Sequence, residues 1–122
     1  WENQASLMTP EEHLKWIRDI DPAAFGFILD NGHSNMAGTT ESYLAGCGKL
    51  LCDLHLNDNR GKYDEHMIPG RGTFPWHGFV KTLEKCEYTG PLMLEILVPK
   101  GTKELVDTLA EARASVAFIR SA

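Results

Sequence analysis

Leu51-Cys52-Asp53-Leu54-His55-Leu56, running into Asn57-Asp58-Asn59-Arg60-Gly61-Lys62-Tyr63-Asp64-Glu65-His66, is the stretch that decides the fold. A strand-length apolar run with a histidine near its end gives way to a long polar loop, closed by Pro69-Gly70-Arg71-Gly72. The grammar repeats on both sides. Upstream, Phe25-Gly26-Phe27-Ile28-Leu29 ends in Asp30, and its unbroken apolar character predicts a strand buried on both faces. Downstream, Leu92-Met93-Leu94-Glu95-Ile96-Leu97 follows the Tyr88-Thr89-Gly90-Pro91 turn. Helical patterns separate these strands. Thr9-Pro10-Glu11-Glu12 is a capping-box start, Leu14, Trp16 and Ile17 form a stripe up to Ile20, and Asp21-Pro22 ends it. Further helices are expected from Thr40 to Cys47, around Trp76, Phe79, Val80 and Leu83, and from about Lys103 to Arg120. In the last, Leu105, Val106, Leu109, Ala112, Val116, Ala117 and Ile119 are the apolar positions.

Helix and strand alternate throughout, so the strands are expected to be parallel with right-handed crossovers. Trp1-Glu2-Asn3 falls where one further strand would end. The fold class is therefore α/β, one domain over residues 1–122, with about four βα units, half of the eight that close a barrel. The 122 residues suffice for one core, and the chain does not begin with Met, which suggests processing or a longer parent. No apolar run is long enough to span a bilayer, and the polar start does not resemble a signal peptide. The net charge of −5 is the wrong sign for a domain that gains affinity by neutralising phosphates. Cys47, Cys52 and Cys86 lack CxxC spacing, so they are expected to be buried reduced thiols of a cytoplasmic protein.

The chemistry lies at the strand ends. Glu2, Asp30, His55 and Glu95 each fall at or near the C-terminal end of an expected strand, the edge where α/β folds bind ligands. Three carboxylates brought together repel unless a cation sits among them, and oxygen plus imidazole ligands suit Mn²⁺, Mg²⁺, Zn²⁺ or Co²⁺. His33 lies on the loop leaving the Asp30 strand. Asp64 and His66 alternate, so on an extended segment both point to one ion. Blander readings compete. A strand-end Asp is often a helix cap, Asn57-Asp58-Asn59 suits a turn, His13 and His77 suit a surface, and Trp76 at a helix start suits the core. Glu95, between Leu94 and Ile96, resists a bland account, because a buried carboxylate without a partner is costly.

The ordered runs Leu29-Asp30-Asn31-Gly32-His33, Leu54-His55-Leu56-Asn57-Asp58, Asp64-Glu65-His66-Met67-Ile68-Pro69-Gly70-Arg71-Gly72 and Gly90-Pro91-Leu92-Met93-Leu94-Glu95 resemble the xylose isomerase-like TIM-barrel superfamily. That superfamily includes sugar isomerases and epimerases and the endonuclease IV type of abasic-site nuclease. The resemblance implies the C-terminal half of a barrel, strands five to eight, with the first half absent. It implies metal ligands Glu2, Asp30, His55 and Glu95, with His33, Asp64 and His66 as second-metal candidates. Glu2 and Glu95 would be the acid–base pair, and His33, Arg60 and Arg71 would hold substrate oxygens. The implied activity is proton transfer beside a ketose carbonyl through an enediolate, on a small carbohydrate. Two alternatives stand beside it: a zinc phosphodiesterase of the endonuclease IV type, and a truncated metal-binding domain without turnover. A half-barrel exposes sheet edges and an apolar inner face, so a second copy or a missing N-terminal half is expected to cover them.

Overall fold

The computed structural model describes residues 9–21, 23–47, 50–98 and 102–122. Glu2, Asn3 and Pro22 lie outside them. Within the described residues, eight elements follow one another: α1 (Pro10–Ile20), β1 (Phe27–Asp30), α2 (Asn31–Ala37), α3 (Thr40–Cys47), β2 (Leu51–Leu56), α4 (Trp76–Lys85), β3 (Met93–Leu94) and α5 (Thr102–Ser121). The strands form one parallel sheet in the order β1-β2-β3. Sequential strands lying side by side describe the wall of a singly wound barrel, with no reversal of strand order.

The expected start of α1 is present. Thr9 Oγ1 accepts from Glu12 N at 3.2 Å, and the Glu12 carboxylate accepts Thr9 N at 2.8 Å. Hydrogen bonds to its carboxylate from Thr9 N and, at 3.0 Å, from Thr9 Oγ1 hold Glu12 below the ordinary glutamate value. A lowered carboxylate pKa contributes stability above the ordinary glutamate value, and that contribution is lost as pH falls through the folded pKa. Thr9→Ala is expected to cost about 1 kcal/mol at neutral pH, the usual value of a helix N-cap, and less in acid. Urea denaturation at the two pH values measures the difference.

Register explains which sheet face is buried. In a parallel pair, facing residues share a face; Leu29 pairs with Leu54 and Leu56 with Leu94. This face meets Leu14, Ile17, Leu44, Trp76, Phe79, Leu83 and Ile119 in the core. The opposite face carries Ile28, Asp53, Asp30, His55 and Met93 in register. Nothing among the described residues covers it, and Ile28 is 50% and Met93 46% exposed. The expectation of a first strand buried on both faces is therefore corrected: only Phe27 and Leu29 are buried. A barrel wall shows its inner face in this way when the opposing strands are not present.

Other differences have local causes. The strand expected over Leu92–Leu97 is confined to Met93–Leu94. Glu95 N still bonds Leu56 O at 2.9 Å, but Leu97 N turns to His66 O at 2.9 Å, so the chain leaves the sheet for the loop after β2. In α5, Thr108, Ser115 and Ile119 are buried, while Leu105, Val106 and Leu109 are exposed, so much of the expected apolar face has no cover among the described residues. His13 is not a surface residue: its ring packs edge-on against Phe27 and Tyr43, with centroids 5.3 and 6.0 Å away. Cys52 is a free, exposed thiol and Cys86 a half-buried one, against the expectation of burial. No helix among the described residues is long and apolar enough to cross a membrane.

Candidate metal centre

Asp30 ends β1, His55 lies one residue before the end of β2, and Glu95 follows β3 directly. Asp30 and His55 are register partners, and His55 in turn faces Met93, two residues before Glu95. Strand alternation therefore sends all three side chains to the uncovered face. Each offers a ligand atom, and those atoms lie within 4.8 Å of one another. Glu2, the fourth expected member, lies outside the described residues.

The geometry suits a cation. Glu95 Oε2 lies 2.9 Å from His55 Nδ1. Yet that oxygen is shielded from solvent and has no hydrogen-bond partner among the described residues. The rest of the Glu95 side chain is exposed; the shielded atom is the one turned to His55. An imidazole nitrogen and a carboxylate oxygen this close together are a pair that a divalent ion can bridge. The donor set of carboxylate oxygens and an imidazole nitrogen fits Mn²⁺, Mg²⁺, Zn²⁺ or Co²⁺.

In a second group, His33, Asp64 and His66, the ligand atoms likewise lie within 4.8 Å of one another. His33 does not sit on a loop, as its sequence context implied, but in α2. Asp30 caps that helix by accepting His33 N at 3.0 Å, and Gly38 ends it in the left-handed region at φ 66°. His66 is not on an extended segment either, since its φ is 46°. It still meets Asp64, with Nε2 3.1 Å from Asp64 Oδ2, and His33 Nε2 reaches the same oxygen at 3.2 Å. His66 Nδ1 donates to the carbonyl of Glu95 at 3.0 Å, which leaves Nε2 of the neutral ring as the electron-pair donor. Partial burial lowers the His66 pKa, but the Glu95 carbonyl and the Asp64 carboxylate outweigh it and leave the pKa above the usual imidazole value. The two groups are thus joined: His33 Nδ1 lies 3.5 Å from Asp30 Oδ2, and His66 is anchored on Glu95.

Both arginines have acidic partners. Arg60 pairs with Glu65, and Arg71 pairs with Glu111 at 3.0 Å. They line a groove that also holds His66, Leu97 and Asp107.

Asn57-Asp58-Asn59 is more than the turn its composition suggests. All three residues are fully buried. Asp58 accepts from Asn59 N, Gly70 N, Phe74 N and the Trp76 indole at 2.9–3.1 Å. Its main chain forms a two-way bridge with Met67 at 2.8 Å, next to His66. Asn59 Nδ2 reaches Gly32 O at 2.9 Å, and Asn59 Oδ1 accepts from Asn35 at 2.7 Å, which fixes α2 and so His33. A polar run after a strand gives no sequence signal that separates such a hub from a solvated turn.

A one-way parallel sheet with acidic and imidazole groups gathered at its C-terminal edge has the form of a (β/α)-barrel segment. The profile of the family described as xylose isomerase-like TIM barrel matches residues 1–122, and the chain belongs to that family. An uncharacterised protein of Methanocaldococcus jannaschii is 32% identical over 91 residues, covering 72% of this chain and 31% of that protein. A D-psicose 3-epimerase of Enterocloster bolteae is 27% identical over 96 residues, covering 78% of this chain and 30% of that enzyme. Among solved structures, a D-tagatose 3-epimerase-like protein superposes with a TM-score of 0.69 at 25% identity, covering 93% of this chain and 42% of its own. The chain thus spans about a third of the curated relatives it matches.

Proposed function

We propose that this chain is the C-terminal half of a barrel, strands five to eight over residues 1–122, belonging to a divalent-metal-dependent sugar isomerase or epimerase. The observation that carries the proposal is the convergence of Asp30, His55 and the shielded Glu95 oxygen on one sheet face at the strand ends. The similarity to 3-epimerases of ketoses supports the substrate class. Glu2 would join as the fourth ligand.

When bound, the ion supplies positive charge that draws electron density from a ketose carbonyl and its neighbouring hydroxyl. Glu95 stands at the sheet edge, where it can take the proton from the carbon beside the carbonyl; Glu2 is the proposed partner that returns one from the other side. His33 would donate to a substrate oxygen by turning one ring nitrogen away from Asp30 or Asp64, which it faces at 3.5 and 3.2 Å. Arg60 and Arg71 would reach substrate only by leaving Glu65 and Glu111, which makes them contributors at the rim of the groove. The uncovered faces carrying Ile28 and Met93, and Leu105, Val106 and Leu109, suit the remaining barrel strands or a second copy.

One observation favours a second reading. The His33, Asp64 and His66 group can hold a further ion, as a multi-zinc phosphodiesterase requires. The net charge of −5 weighs against a DNA substrate. Metal analysis with parallel assays on free ketoses and abasic-site DNA separates the readings. One ion per chain with Mn²⁺-dependent epimerisation is the expected result. Two or three zinc ions with strand cleavage would install the second reading, and ion binding without turnover of either substrate would leave a metal-binding domain.

A further inference from the structure

Asn57 is fully buried, yet its side-chain oxygen has no hydrogen-bond partner. A buried acceptor without a donor costs stability, so packing alone does not account for an amide here. Nor does the clamp between β2 and α2 need it. Asn57 N donates to Asn31 Oδ1 at 2.9 Å, and Asn31 Nδ2 donates to Asn57 O at 2.9 Å, so both bonds use the main chain of Asn57. Among the described residues, the one bond made by its side chain runs from Nδ2 to Asp30 Oδ1 at 3.4 Å. The reverse amide orientation would set oxygen against the carboxylate, so Asp30 dictates which end of the amide faces it. Gly32 leaves room for this arrangement, since a Cβ there would fall 2.1 Å from Asn57 Oδ1.

Asp30 Oδ1 also accepts His33 N at 3.0 Å. With two donors on Oδ1, the carboxylate is turned so that Oδ2 is the oxygen left for a ligand, 3.5 Å from His33 Nδ1. We infer that Asn57 is a positioning residue for the metal centre: its Nδ2 commits one oxygen of Asp30 and presents the other to a divalent ion. The inference rests on the metal-centre reading above. It explains the cost of the unpartnered oxygen, because the amide serves the orientation of Asp30 at the expense of stability.

Two side-chain variants retain the main-chain clamp. Asn57→Leu removes the unpartnered acceptor and fills the site, and Asn57→Ala removes the amide and leaves a space. Mn²⁺ affinity by titration calorimetry and metal-free thermal unfolding are measured for both, for the unsubstituted chain and for Asp30→Asn. The expected result is an affinity about 10–100-fold weaker in both Asn57 variants. The metal-free midpoint of Asn57→Leu stays unchanged or rises, while that of Asn57→Ala falls. A purely structural role predicts the opposite pattern, with affinity following stability and Asn57→Leu binding Mn²⁺ like the unsubstituted chain; that result overturns the inference. An unsubstituted chain that takes up no Mn²⁺ overturns the metal-centre reading itself, and the inference with it. The two failures are therefore told apart by the unsubstituted chain.

Discussion

Replacing His55 with alanine is expected to weaken Mn²⁺ binding about 100-fold or more, while the metal-free protein keeps its stability to within about 0.5 kcal/mol. His55 lies on the uncovered face of β2, while its neighbours Leu54 and Leu56 carry the buried face. Removing the imidazole therefore takes nothing from the core. It does remove one of three converging donors, and residues that merely support ligands already change affinity 10–100-fold. The loss corresponds to about 2.7 kcal/mol of binding free energy at about 1.4 kcal/mol per tenfold. Thermal unfolding with Mn²⁺ supplies an independent reading. An ion present at about 100 times its Kd stabilises by about 2.7 kcal/mol, and at the same concentration a 100-fold weaker variant gains only about 0.4 kcal/mol. Equal Mn²⁺ stabilisation of both proteins would remove His55 from the site.

Asp58→Ala is expected to act in the opposite way, through the fold. It strips the acceptor from four donors, three main-chain N–H groups and the indole of buried Trp76. Each buried donor left without a partner costs about 1–3 kcal/mol; with partial relaxation and entry of water, the total is about 3–5 kcal/mol. That is a large share of the roughly 5–15 kcal/mol that holds a domain together. Asp58→Asn keeps the shape but turns an NH₂ group towards two of the donors, so it should fall between the two. The urea midpoint measures this, with an unchanged slope showing that stability alone has moved. A midpoint within error of the unsubstituted chain would mean that Asp58 does not organise the loop. Because Asp58 bridges Met67 beside His66, the same variant should also loosen the His33, Asp64 and His66 group.

These two residues show what sequence reading reaches. The strand Leu51–Leu56 and the helices at Pro10, Thr40 and Trp76 are legible because apolar periodicity and capping residues act locally. His55 and Glu95 are legible because ionisable residues at apolar strand ends are chemically out of place. The helix Asn31–Ala37 is hidden because Asn31-Gly32 favours a turn on local preference; the Asp30 cap and the bonds from Asn57 and Asn59 override it. The brevity of β3 depends on Leu97 meeting His66, a contact between segments about thirty residues apart that no window of sequence contains. For the same reason, Asp58 in Asn57-Asp58-Asn59 is indistinguishable from a turn residue until its donors arrive from positions 70 to 76. The exposed side of α5 has a different origin. Its pattern of apolar residues is real, but burial needs a partner surface, and none is present among the described residues.

Asp30, His55 and Glu95 are proposed to hold one divalent ion at the C-terminal edge of the sheet. A crystal structure of the chain grown with Mn²⁺, with data collected for the anomalous signal of the metal, decides this. The expected map shows an ion with a carboxylate oxygen of Asp30, Nδ1 of His55 and Oε2 of Glu95 each at about 2.0–2.3 Å. An anomalous map with no ion at these residues, or with an ion bound only elsewhere, would contradict it.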